Sequence, residues 1–330
     1  MKNSELIHLR TGAQRILAPF EKPDEVVAYF GAMQAQNRDQ MLYAIASRTK
    51  NPSRTKMEQA LSENQIIRAW AFRGTIHAMR PVDYFLFKQV YGARTQQIFR
   101  GYWKRLGIPE SDFERSNAEL KKQLASGPKT RTELAKSIEG IGLPNSGIPL
   151  AQLIARANLD DILVFHANSN TFQNTEFLKP YQTDATFDEA LKELGRIYFK
   201  SRGPATIQDF NWWSGLPQTT IKKMIANLSG ELVQDGDFYF YPDTKKTTTD
   251  HTLLLAGFDE WLISYRDRSV HLPEELQHEV ITKNGLFRPI VVQNGVVKGT
   301  WKKRKKIKIV HTSDIKIETT NYDKFSAKTE

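Results

Sequence analysis

The sequence predicts an α+β protein in which three tandem units, each of helices closed by a strand pair, precede a small β-rich C-terminal domain. Two observations carry the tandem units. Apolar residues at three- and four-residue spacing give way to alternating stretches at three points along the chain. Gly-Pro-x-Thr then occurs at Gly127 and again, 76 residues later, at Gly203, each time before an amphipathic run. A third observation carries the last domain, because from Leu253 onward the pattern is dominated by strands.

Residues 4–48 read as helices, with Ile7, Leu9, Ile16 and Leu17, then Val26, Val27 and Phe30, then Met41, Leu42 and Ile45 in helical register. Asp24 after Pro23 marks a helix start, Gly31 ends that helix, and Asn37 caps the next with Gln40 at the capping-box position. The segment Met33 to Gln36 is therefore a tight connector. MEQALSENQIIRAWAFRGTIHAM begins as a short helix and ends as a strand pair, and 82–106 forms one or two aromatic-rich linking helices. Helix, turn, helix, hairpin is the order of a winged helix. The two Gly-Pro-x-Thr segments open the same order, ending in ILVFHANSNTFQN and LVQDGDFYFYP. In the last domain Gln293-Asn294-Gly295 reads as a hairpin turn between β-branched runs. The domains expected are 1–110, a first winged helix with linking helices; 111–182, a second; 183–249, a third; and 250–330, the β-rich domain.

Lys and Arg number 47 against 37 Asp and Glu, a net charge of +10 and a pI near 9.5, which favours a polyanionic partner. The chain contains no cysteine, so disulfides, Cys-based zinc sites, iron–sulfur clusters and thiol nucleophiles are excluded. His271 and His278 stand seven apart without supporting ligands, and no P-loop or Rossmann glycine pattern is present, so neither metal nor cofactor is expected. MKNSELIHLRTG lacks the apolar core of a signal peptide, and no stretch approaches the roughly 18 apolar residues that cross a bilayer. A cytoplasmic monomer without membrane contact is expected, nucleoid-associated if the source is prokaryotic.

Gln34 and Gln36 would point apart in a helix but share a face in an extended turn. Two neutral amides so placed can hold one water or one base edge. They can also merely satisfy backbone groups at a helix junction.

GAMQAQNRDQMLYAIASRTK, AWAFRGTIHAMRPVDYFLF, LLLAGFDEWLISYRDRS and LFRPIVVQNGVVKGTW together resemble, in order and spacing, the winged-helix DNA-binding family that includes the AlkZ-like and YcaQ-like alkylpurine DNA glycosylases. The resemblance covers most of the chain and implies a C-shaped arrangement of three winged helices and a β-rich domain around DNA. A Gln-aliphatic-Gln motif marks the AlkZ-like branch, whereas the YcaQ-like branch has Asp at the second amide. Gln34, Ala35 and Gln36 resemble the former, with a small Ala in the middle. The implied activity is monofunctional hydrolysis of the N-glycosidic bond of cationic N7-alkylated purines in double-stranded DNA, with Gln34 and Gln36 catalytic. The natural lesion, and acceptance of interstrand cross-links, stay open.

Arg73, Thr75 and His77 alternate along the expected strand, and the resemblance places that strand beside the active site. They can contact phosphate, or they can belong to a solvated wing. Lys302, Lys303 and Arg304 lie in the most basic segment, where they can bind DNA or simply protect a strand edge. Trp212-Trp213 is expected mostly in a core. Phe258, Asp259 and Arg268 match the family's FD…R signature, which reads as a buried structural ion pair. The alternative function is a non-catalytic winged-helix regulator, since winged helices more often bind than cut.

Overall fold

A computed structural model of the chain describes residues 1–167, 170–247, 250–303, 307–310 and 319–327, without the side chains of 308 and 309. The chain forms two compact units, one of Met1–Glu58 with Leu191–Glu330, the other of Gln59–Ala190.

In the Gln59–Ala190 unit, the strands Ile67–Trp70 and Ile76–Met79 pair as an antiparallel hairpin with Ala69 opposite His77. One continuous helix, Tyr84–Leu106, follows. Then come the helix Glu110–Leu124, the short strand Lys129–Thr130, the helices Arg131–Gly140 and Gly147–Leu159, and the strands Leu163–His166 and Thr171–Asn174. These strands pair antiparallel with each other, and Lys129–Thr130 pairs with Thr171–Asn174. Arg68 pairs with Phe165, so the two hairpins share one sheet across the boundary drawn at 110 from the sequence.

The other unit contains the helices Asn3–Ala13, Pro23–Phe30 and Arg38–Ala46. Further along, the end of the helix Phe187–Arg202 is followed by the helices Ile207–Ser214 and Gln218–Asn227 and the hairpin Val233–Asp235/Phe238–Phe240. A bridge from Ala205 to Tyr239 ties the Gly-Pro-x-Thr segment to that hairpin. Both copies of the motif do the same work. Thr130 Oγ1 accepts from Glu133 N (3.2 Å) and Thr206 Oγ1 from Asp209 N (3.1 Å), while the acidic side chain reaches back to the threonine amide. The repeat read from the sequence is thus a repeat of strand-to-helix capping boxes.

The strands Thr252–Leu255, Ile290–Gln293, Val296–Lys303 and Ile307–Val310 form a four-stranded antiparallel sheet in that spatial order. Asn294 (φ 52°) and Gly295 (φ 77°) make the tight hairpin turn, both in the left-handed region that Asn-Gly tolerates. Leu255, Trp261, Leu262, Ile290, Val292 and Val297 pack with Ile16 into one apolar cluster of this unit. Among the described residues no helix is long and apolar enough to cross a membrane.

Local expectations change at four places. Arg73 and Thr75 do not lie on a strand face with His77, because Arg73 adopts φ 57° inside a short turn and the strand begins only at Ile76. His77 is no surface histidine but is 1% exposed, with its ring edge-on to Phe72. Gln40 donates its backbone amide to Asn37 Oδ1, yet its side chain accepts from Gly257 N at 2.6 Å instead of closing a capping box. Trp213 is buried, whereas Trp212 is 43% exposed, since neighbours on a helix point about 100° apart.

Candidate active site

The helix Pro23–Phe30 buries Val26, Val27 and Phe30 and stops at Gly31, whose φ of 72° turns the chain out of the helix. The extended segment that follows alternates. Met33 and Ala35 are buried, Gln34 is half-buried and Gln36 is exposed, so the two amides share the outward face. A side chain larger than Ala35, which is fully enclosed, would have to displace its surroundings. Asn37 then starts the helix Arg38–Ala46 by accepting the amide of Gln40.

The backbone of this connector is held from within its own unit by a buried ion pair. Arg202 donates Nη1 to Phe30 O and Nη2 to Ala32 O, both at 2.9 Å, and Nε to Glu260 Oε2 at 3.0 Å. Glu260 Oε2 also accepts from Ser264 Oγ (2.6 Å), while its Oε1 accepts the backbone amide of Gln34 (3.2 Å). Arg202 and Glu260 are both essentially sealed from solvent, and the guanidinium lies over the rings of Trp213 (4.5 Å) and Phe30 (5.0 Å). Gln14 Nε2 fixes Glu260 O, and Tyr265 Oη fixes Arg202 O.

One residue earlier, Asp259 receives both ends of the Arg48 guanidinium at 2.8 and 3.0 Å, and also caps the short helix Glu260–Ile263 by accepting Trp261 N. Burial opposes the charge on Arg48, but Asp259 and Glu260 hold its pKa above the ordinary value. The buried ion pair expected of the FD…R signature is therefore formed by Asp259 with Arg48. Arg268 donates Nε to Leu262 O and stacks between Trp212 and Phe287.

His271 is fully buried with Nδ1 3.0 Å from Gly295 O, and burial followed by the positive charge of Arg10 pushes its pKa down to about 3. The unfolded chain binds this proton from about pH 6.5, so the associated stability is intact above that and is lost as pH falls toward 3. At about pH 4.5 the loss should amount to roughly 2–3 kcal/mol. Urea unfolding of wild type and His271→Asn at neutral pH and at about pH 4.5 measures it; equal acid sensitivity of the two would refute the assignment.

Arg73 and Thr75 are half-buried at the turn of the first hairpin, and His77 Nδ1 lies 3.1 Å from Thr75 O. Lys302 and Lys303 are exposed on the strand Val296–Lys303, and Lys303 Nζ donates to Ser326 Oγ at 2.9 Å. Arg304 lies outside the described residues. Sequence reading did not single out Arg202, Glu260 or Arg48. The available signal was two acidic residues inside the apolar run LLLAGFDEWLISY, where burial demands cationic partners.

The model of the AlkZ-like DNA glycosylase family matches residues 27–313, which include the connector and both buried ion-pair carboxylates. The chain belongs to the AlkZ-like DNA glycosylases. An interstrand DNA cross-link repair glycosylase of Streptomyces sahachiroi is 25% identical over 320 residues, spanning 87% of this chain and 84% of that protein. The solved structure of the Streptomyces sahachiroi DNA glycosylase AlkZ superposes with a TM-score of 0.79 at 20% identity, covering 98% of this chain and 94% of that one. That likeness extends the AlkZ-like fold over nearly the whole of this glycosylase. Membership of the family makes the chain an enzyme acting on DNA in repair, and sets aside the reading as a non-catalytic regulator.

Proposed function

We propose that the protein is a monofunctional DNA glycosylase that hydrolyses the N-glycosidic bond of cationic N7-alkylated purines, with Gln34 and Gln36 at the reacting sugar. The observation that carries this reading is the connector: two amides on one outward face of a backbone held by Arg202 and Glu260. N7-alkylation places a positive charge on the purine. When the C1′–N9 bond breaks, the electron pair leaves with the base and cancels that charge, so no strong general acid is required. The remaining tasks are to orient a water toward C1′ and to stabilise the oxocarbenium-like sugar, and fixed amide dipoles suit both. Water oxygen bonds to C1′ and its proton passes to solvent. A neutral purine has no such leaving ability and stays in place.

Three tandem winged helices and the C-shaped grip on double-stranded DNA belong to the same proposal. Its support is the element order around the two capping boxes, together with the net charge of +10. Arg73 and Thr75 at a hairpin turn, Lys302 and Lys303 on the strand Val296–Lys303, and Arg304, which follows them in sequence, are assigned to the phosphate backbone; His77, buried, would support the turn. The cross-link repair named for the Streptomyces sahachiroi relative extends the proposal to cross-links whose attachment leaves a cationic N7 purine. A monomer acting in the cytoplasm, on nucleoid DNA in a prokaryote, completes it.

Two measurements test this reading. Purified protein should release N7-methylguanine from methylated DNA and nothing from untreated DNA, and release should persist in EDTA; complete, metal-reversible loss would contradict the cofactor-free chemistry. Duplex affinity should fall steeply with salt, about 0.9 in log K per log salt for each phosphate neutralised, with little sequence preference. Affinity that is flat with salt or confined to one operator sequence is the opposite result.

A further inference from the structure

We propose that Glu260 is a positioning residue for hydrolysis, aiming the Gln34 amide by fixing the Gln34 backbone; the inference rests on the assignment of Gln34 to the reaction. The demand on Glu260 is specific. Its Oε1 accepts the Gln34 N–H while its Oε2 accepts from Arg202 and Ser264, so donors approach both oxygens. Only an ionised carboxylate accepts at both ends; a glutamine has one acceptor oxygen and must turn its NH₂ toward a donor on one side. Aspartate keeps the charge but is shorter by roughly 1.5 Å, one carbon–carbon bond, and cannot serve both sides at once.

The geometry also separates positioning from plain stability. The Arg202–Glu260 pair touches Phe30 O, Ala32 O and Gln34 N, every second residue through the helix end and the extended segment. Buried ion pairs contribute little net stability compared with apolar side chains of similar volume, so stability alone gives no reason to set this one along the connector.

The test compares single-turnover rate constants for N7-methylguanine release by the full-length protein with enzyme in excess, alongside duplex affinity, thermal melting and the active fraction. Glu260→Asp should slow the rate constant about tenfold to a hundredfold with affinity unchanged, the cost of moving a reacting group by around an ångström. Glu260→Gln gives a second variant of native length should the aspartate form not fold. In a Gln34→Ala background Glu260→Asp should add no further loss. A wild-type rate constant in Glu260→Asp beside a slow Gln34→Ala overturns the positioning role alone. So does a loss additive with Gln34→Ala, or one confined to active fraction and melting. A wild-type rate constant in Gln34→Ala is a different result, overturning the catalytic assignment of the amide itself.

Discussion

Gln34→Ala and Gln36→Ala should each lower the rate of N7-methylguanine release by about 10²–10³ at most, the usual cost of removing one positioned dipole from developing charge. The lability of the cationic base keeps the penalty at the lower end of that range. Folding should be nearly untouched, because truncation at Gln34 or Gln36 takes no apolar side chain out of the core; the buried positions of the connector are Met33 and Ala35. Gln36 is exposed, so its alanine form should melt as wild type, whereas half-buried Gln34 can shift slightly. Single-turnover kinetics, melting and anisotropy separate the contributions. Rates that fall only in proportion to melting temperature would favour a purely structural role at the helix junction.

The largest expected effect on stability lies one residue from the positioning carboxylate. Asp259→Ala leaves Arg48, fully buried and without its carboxylate, inside the unit, and removes the cap of the helix Glu260–Ile263. Breaking one side of such a pair costs about 3–5 kcal/mol, and the lost cap about 1 more. Replacing both partners by apolar residues, Arg48→Met with Asp259→Leu, should recover much of that loss, since no unpaired charge remains. Urea unfolding of the single and double variants measures both. A single variant within about 0.5 kcal/mol of wild type, the range of ordinary surface substitutions, would contradict the burial of the pair.

Much of the local structure is legible in the sequence because it depends on neighbours in the chain. Asn37 caps its helix, Thr130 and Thr206 open theirs, and Gln293-Asn294-Gly295 turns the hairpin, each through contacts within a few residues. The shared face of Gln34 and Gln36 follows from strand periodicity in the same way. The Arg73 stretch misled because alternation of residue types imitates a strand, while the left-handed φ at Arg73 leaves no mark in residue type. The support of the connector was hidden for another reason: Gln34 and Glu260 are 226 residues apart, and Arg202 and Glu260 are 58 apart. Charged residues in an apolar run announce that partners exist but not which ones. Likewise Arg68↔Phe165, which joins two hairpins into one sheet, is set by tertiary packing rather than by either hairpin's sequence.

The most direct test of the central claim uses a duplex carrying a single N7-methylguanine, incubated with excess protein in EDTA, with free base and abasic strand quantified together. Free N7-methylguanine and intact abasic strand should form in equal amounts, well above the spontaneous rate, with this excess lost in the Gln34→Ala/Gln36→Ala double variant. Release no faster than spontaneous depurination, or release that survives in the folded, DNA-binding double variant, would contradict it.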